Sequence, residues 1–276
     1  MWDFLTEREA EFCQNIIDQS SNYPAVQSIS NMLSQNGGVA RDNMPFLFEL
    51  RFAQELARLG YDSSYEVPGD GASSIDFEIN PQSDFKILAE LVSVRASEAI
   101  NEATQIIADD FGMETRQLIL STNNEDPRFS EEGEVLLVQQ KVCEKTSKFP
   151  EATSNNPNFH LIVVDMRGFL GGNGGDNHDC IQLCYGNSRV PEHCQRYWQG
   201  NNGERNPIVG LFEPSSTRPR GVNLLKERVH AILFTRDTQY TAGSLLSLDS
   251  CCVVCNPHLL SQEEALRLKD VFFTNS

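Results

Sequence analysis

Apolar residues recur along this chain with two different periods, and the changes of period divide it into elements. Residues 1–35 read as helical, with Phe4, Phe12, Ile16 and Ile17 on one broad apolar face, and QNGG (Gln35 to Gly38) breaks the pattern. A second helix is expected from Pro45 to Leu59, with proline suited to a first turn and Gly60 just past the end. The pattern then alternates. Tyr61 to Val67 and Ser74 to Ile79 read as strands joined by the turn-forming run PGDGASS, and Asn80-Pro81 turns again. Phe85 to Val94 is apolar on both faces, as a central strand would be. Residues 97–108 look helical, and residues 121–129 form a polar loop. Ser130 suits the N-cap of a helix running to about Phe149 and stopped by Pro150. Asn158 to Arg167 is a further buried strand.

Beyond residue 168 the Gly/Asn-rich run GFLGGNGGDN reads as a flexible surface loop. A short strand is expected at CIQLCY, then a helix over Pro191–Gln199 carrying Trp198. Strands follow near Pro207–Phe212, His230–Phe234 and Cys251–Val254. A last helix opens at Ser261, where Ser-Gln-Glu-Glu forms a capping box. There is no internal repeat. The reading is one α/β domain over 1–276, with a core at 43–167 and an α/β extension at 168–276 packed on it.

Composition narrows the class. Hydrophobic content of 39% and charged content of 22% are those of a globular protein. The first residues lack the basic and apolar regions of a signal peptide, and no run approaches the ~18–20 apolar residues that span a bilayer. The expectation is a soluble, cytoplasmic protein with no membrane partner. A net charge of −17 disfavours a general nucleic-acid binder, whose affinity rests on neutralising phosphates, although a local basic cleft would still serve. The eight cysteines are expected as reduced thiols.

Three acids occupy positions where burial makes charge costly. Glu49 shares a helix face with Phe52, Ala53 and Leu56; Asp76 lies on the strand face opposite Ile75 and Phe77; Glu90 interrupts the apolar strand ILAELVSV. Converging carboxylates are a common way to hold a divalent cation through oxygen ligands. Pairing with nearby cations or backbone amides is the alternative.

A helix with Glu, a hairpin with Asp, an adjacent strand with Glu, then a helix and a strand resembles the αβββαβ core of the PD-(D/E)XK nuclease superfamily, the restriction-endonuclease-like fold. Residues 43–167 carry the resemblance. It implies a central mixed sheet flanked by helices, with N-terminal helices before it. It also implies Asp76 and Glu90 as ligands of Mg²⁺ (or Mn²⁺), and Glu49 as a supporting carboxylate that could bind a second ion. A motif lysine two residues past the strand Glu would position or activate water, and here that position is Val92. Lys86 shares the strand face of Glu90, but four residues is ~13 Å along a strand. In the helix VLLVQQKVCEKTSKF, Lys141, Lys145 and Lys148 form one stripe, with Gln139 and Gln140 just before it, and Lys141 or Lys145 is the expected substitute. The resemblance thus implies a metal-dependent endonuclease, a hydrolase of phosphodiesters, with a degenerate site. The alternative is an inactive scaffold that binds a protein or nucleic-acid partner, with the lysine stripe a solvated face.

Other constellations change little. Cys180/Cys184 and Cys252/Cys255, near His178, His193, Cys194 and His258, have zinc-like spacing but lie in apolar runs, which argues for buried thiols over structural Zn²⁺. No phosphate-binding glycine motif or hydrolase elbow is present. Lys141, Lys145, Lys148, Arg218 and Arg220 are the basic residues that DNA or RNA would meet, with Lys226 and Arg228 following in the segment STRPRGVNLLKERVH; a solvated loop is the other reading of that segment.

Overall fold

The computed structural model describes residues 5–19, 23–81, 84–95, 104–108, 114–118, 131–152, 158–172, 174–199, 205–243, 245–247 and 249–273. Seven α-helices and ten strands lie among them. The helices are α1 (Glu7–Asp18), α2 (Pro24–Gln35), α3 (Met44–Arg58), α4 (Glu131–Lys145), α5 (Asn177–Tyr185), α6 (Val222–Arg228) and α7 (Gln262–Phe273). The strands are β1 (Asp62–Pro68), β2 (Ser74–Asn80), β3 (Lys86–Ser93), β4 (Thr104–Ala108), β5 (Glu114–Leu118), β6 (Asn158–Asp165), β7 (Tyr197–Gln199), β8 (Arg205–Pro207), β9 (Ala231–Thr235) and β10 (Cys251–Cys255).

One six-stranded mixed sheet, in the order β1-β2-β3-β6-β9-β10, organises the molecule. The β1–β2, β2–β3 and β9–β10 pairs are antiparallel, and β3, β6 and β9 run parallel. Strands buried on both faces need helices on both sides, which is why β3 and β6 read as continuous apolar runs. One face packs Phe77, Ile87, Ala89, Leu91, Leu161 and Val163 against α1–α3 and the apolar side of α7. The other packs Leu88, Val92, Ile162, Val164 and Phe234 against α4, α5 and α6. Segment 168–276 supplies two strands of the sheet itself, not only an outer covering.

Several expected elements differ. The N-terminal helical region is two helices, α1 capped by Thr6 and α2 opened by Pro24. Residues 104–108, expected as helix, form β4 and pair with β5; the β-branched Thr104, Ile106 and Ile107 suit a strand. CIQLCY is helix α5. Its Cys180, Leu183 and Cys184 are buried at i, i+3, i+4 spacing behind an Asp176/Asp179 capping box, a period too short-lived to separate from an apolar strand. Pro191–Gln199 holds a 3₁₀ turn at Glu192–Cys194 and then β7, paired to β8. Residues 208–212 are not a strand, because Leu211 N–H and Phe212 N–H donate to the Leu183 and Cys184 carbonyls at the end of α5. The Gly-rich loop is packed rather than free: a Cβ on Gly174 would lie 2.6 Å from the Arg236 carbonyl oxygen. Phe4, Ser130 and the polar stretch 121–129 lie outside the described residues.

Candidate functional site

The β2–β3 ladder pairs Ile79 with Ile87, Glu78 with Leu88 and Phe77 with Ala89, then stops. Beyond it side chains replace the main-chain ladder. The Asp76 N–H donates to Glu90 Oε1 at 3.2 Å, and the Leu91 N–H donates to Asp76 Oδ2 at 2.7 Å. On the other edge of β2 the ladder to β1 omits the Glu66–Asp76 pair, where Glu66 takes a left-handed φ of 53°. A non-glycine residue there costs on the order of 1 kcal/mol and persists only where its surroundings hold it. Asp76 therefore sits where both of its neighbouring ladders are interrupted.

Two ammonium groups from the end of α4 and the 3₁₀ turn after it lie over this gap. Lys145 Nζ is 3.1 Å from Glu90 Oε2 and 4.0 Å from Asp76 Oδ2. Lys148 Nζ is 2.9 Å from the Glu90 carboxylate and 3.7 Å from Asp76 Oδ1. Glu90 is fully buried, whereas Asp76, Lys145 and Lys148 keep 15%, 27% and 29% of their side-chain surface, so the cluster opens to solvent on the lysine side. Burial and the neighbouring Asp76 charge raise the Glu90 pKa, against the pull of both lysines. Burial lowers Lys148, but the Glu90 hydrogen bond and the Asp76 charge outweigh it and leave its pKa raised.

Glu49 enters from α3, in the opposite helical layer. Its Oε2 accepts the Tyr65 hydroxyl at 2.6 Å. Burial, reinforced by the Asp76 and Glu90 charges, pushes its pKa up to about 7 despite the Tyr65 bond and the Lys145 charge. Glu49 can thus change protonation near neutral pH, which an ordinary glutamate does not.

Of the residues picked out in the sequence, Asp76, Glu90 and Lys145 meet directly and Glu49 lies within reach of their fields. Lys141 stands apart from this cluster: it pairs with Glu144 at 3.2 Å on an exposed face. Gln139 and Gln140 also turn elsewhere, Gln139 donating to the Leu183 and Val209 carbonyls and Gln140 to Glu144. Lys86 pairs with Glu78 at 2.7 Å. Val92 is buried in the apolar layer beneath α4. Lys148 belongs to the cluster as fully as Lys145, because the 3₁₀ turn at Thr146–Lys148 carries it back over the sheet. Tyr65 carries no sequence signal of its own; the β1–β2 register, which pairs it with Phe77, brings it to this end of the sheet.

The lysine turn is itself braced. Arg228 Nη1 donates to the Phe149 carbonyl at 2.6 Å and to Asp70 Oδ2 at 2.7 Å, while the Asp70 N–H donates to the Lys148 carbonyl at 2.8 Å. Arg228 is therefore a strut, and Lys226 is likewise tied to the Ser216 carbonyl. Arg218 and Arg220 are exposed.

A second ionic cluster lies on the other face, at the carboxyl ends of β6 and β9. Arg167 binds Glu9 of α1 at 2.7 Å, and Arg51 of α3 pairs with Asp237. The ring of buried Tyr240 lies between the two guanidinium groups, 4.8 Å from Arg51 and 4.9 Å from Arg167, and its hydroxyl donates to Asp165 Oδ2 at 3.2 Å. Burial would raise Glu9, but the bonds from Arg167, Thr6 and Tyr240 lower it to about 2.

All eight cysteines are free thiols, and the described residues contain no group of three or more His, Cys, Asp or Glu side chains placed to hold a metal ion together. No described helix is long and apolar enough to cross a membrane. Compared with family models, curated proteins and solved structures, the chain matches none.

Proposed function

We propose that the chain is a metal-dependent phosphodiesterase of nuclease type, built on a restriction-endonuclease-like core, with Asp76 and Glu90 as the residues that would hold Mg²⁺ or Mn²⁺. The observation that carries this is the meeting of these carboxylates at the gap between β2 and β3, under two amines open to solvent. Mg²⁺ commonly takes only one or two protein carboxylates and fills its shell with water and phosphate oxygens, so this donor set fits. The bound ion would supply charge at the phosphate and acidify a water. Lys145 and Lys148 would face the phosphate oxygens and supply the positive charge that Val92 lacks. Glu49, held through Oε2 by Tyr65, would take up a proton at Oε1. DNA or RNA would enter past Lys145 and Lys148, with exposed Arg218 and Arg220 as further phosphate contacts.

One observation favours a second reading, a non-catalytic scaffold for a protein or nucleic-acid partner. Both lysines already neutralise the two acids, so an entering cation must displace them. Incubating the protein with DNA and RNA in Mg²⁺ or Mn²⁺, beside Asp76→Ala/Glu90→Ala, separates the two. The nuclease reading expects cleavage and a calorimetric Mn²⁺ signal, both lost in the double variant. Folded protein that neither cleaves nor takes up Mn²⁺ sinks it and leaves the scaffold.

A further inference from the structure

Outside that site, the sulfur groups between α5 and β10 form a second reactive arrangement. β10 is an edge strand of the sheet, and its alternation turns Cys252 and Val254 toward the α4–α6 layer while Cys251 and Val253 face the other. α5 packs against this strand, with the Tyr185 hydroxyl bonded to the Cys255 carbonyl. Cys180 and Cys184, one turn apart, look out from α5 into the same layer as Cys252. Cys180 is wholly buried and close enough to Cys252 for each thiol to shift the other's pKa, whereas Cys252 is partly exposed. Cys184 is also wholly buried and feels Cys252 only through its charge.

We infer that Cys252 and Cys180 are an oxidisable dithiol, Cys252 the thiol that meets a hydroperoxide and Cys180 the one that resolves it into a disulfide. Three features equip Cys252 for the first step. It sits on the sheet edge, where an oxidant can approach. The neighbouring Cys180 thiol, together with the charges of Arg236 and Lys269, lowers its pKa against burial. The Arg236 guanidinium that supplies part of this charge is held through Nη2 by the Asp249 carbonyl, while its buried Nε has no hydrogen-bond partner among the described residues. Cys180, desolvated and with its pKa raised, keeps its proton until a sulfenic sulfur is beside it.

The chemistry closes with peroxide as the only co-reactant. The Cys252 thiolate attacks one peroxide oxygen, the O–O bond breaks, and the departing hydroxide leaves as water after protonation. The Cys180 sulfur then attacks the sulfenic sulfur. The S–S bond forms, the S–O bond breaks, and a second water leaves with the Cys180 proton. The sulfur pair loses two electrons and the peroxide gains them.

Peptide mapping of the full chain tests this. Reduced protein is treated with hydrogen peroxide, unfolded in guanidinium chloride, alkylated with iodoacetamide and digested without reductant. One cross-linked pair joining Cys180 to Cys252 is expected, reversed by dithiothreitol. Before oxidation Cys252 should alkylate at neutral pH severalfold faster than Cys194, the partly exposed thiol outside the cluster. Cys180→Ser should leave Cys252 as a sulfenic acid that dimedone traps, and Cys252→Ser should abolish the bridge. The inference is overturned if both thiols stay alkylatable at peroxide levels that oxidise Cys194, or if the bridge runs from Cys252 to Cys184.

Discussion

The two ionic clusters, on opposite faces of one sheet, use similar charges in different ways. Around Tyr240 each acid has a geometric partner of its own. Arg167 is matched to Glu9, Arg51 to Asp237, and Asp165 takes the tyrosine hydroxyl and the Arg167 N–H. Planar guanidinium groups stacked on a ring are fixed in place, and the cluster binds α1 and α3 to the ends of β6 and β9. At the β2–β3 gap, two flexible amines share two carboxylates, with four ammonium-to-carboxylate approaches between 2.9 and 4.0 Å. Neither lysine is dedicated to one acid. A fixed, one-to-one set is what a clasp needs, and a shared set of point charges is what can rearrange when a ligand arrives. Buried charge alone does not distinguish structure from chemistry. The partition of partners does.

The largest test of this contrast removes one member of each cluster. Arg167→Ala leaves Glu9 buried without its cation and should cost about 3–5 kcal/mol in urea unfolding. In the open cluster, Lys148→Ala leaves Lys145 on Glu90 and should cost only about 1–2 kcal/mol. Equal losses would mean that both clusters are clasps.

Acid titration sharpens the same point, because the clusters respond with opposite signs. Glu9, lowered to about 2, gives stability that is complete above its unfolded value near 4.5 and is lost as pH falls toward 2. The expected contribution is on the order of 3 kcal/mol, and Glu9→Gln should flatten that limb of the melting curve against pH. Glu49, raised to about 7, acts the other way: its contribution is present below about 4.5 and lost as pH rises through 7. Glu49→Gln should remove the decline between pH 5 and 7 and leave the acid limb unchanged. The smallest effect is that of Tyr65→Phe, about 1 kcal/mol from one lost hydrogen bond, with the Glu49 titration moving upward because a bond to its charged form is gone.

The residues most legible in the sequence were those whose surroundings repeat. SIDFEI alternates cleanly, so Asp76 could be placed on the face away from Phe77, and Glu90 stood out as the single acid in an apolar strand. The lysine stripe could be seen, but not which members bend to the sheet. Helical spacing puts Lys141 in line with Lys145, whereas the 3₁₀ turn that brings Lys148 over Glu90 breaks that spacing. The Tyr240 cluster was missed because its members come from α1, α3, β6 and the loop after β9, and no local pattern joins them. Asp165 and Arg167, charges closing the apolar run HLIVV, were the one available hint. Short segments failed for a different reason: nine residues of α5 hold too few turns for an apolar period to declare itself.

The Glu9 contacts also bear on how the chain comes to be assembled. The acid on α1 is satisfied by Arg167 and by the Tyr240 N–H, partners 158 and 231 positions later. During synthesis the first helix therefore leaves the ribosome long before its counter-charges exist. Its apolar side can pack early on α2 and α3, which follow it directly, but the acid itself stays uncompensated until Arg167 and the segment after β9 have been made.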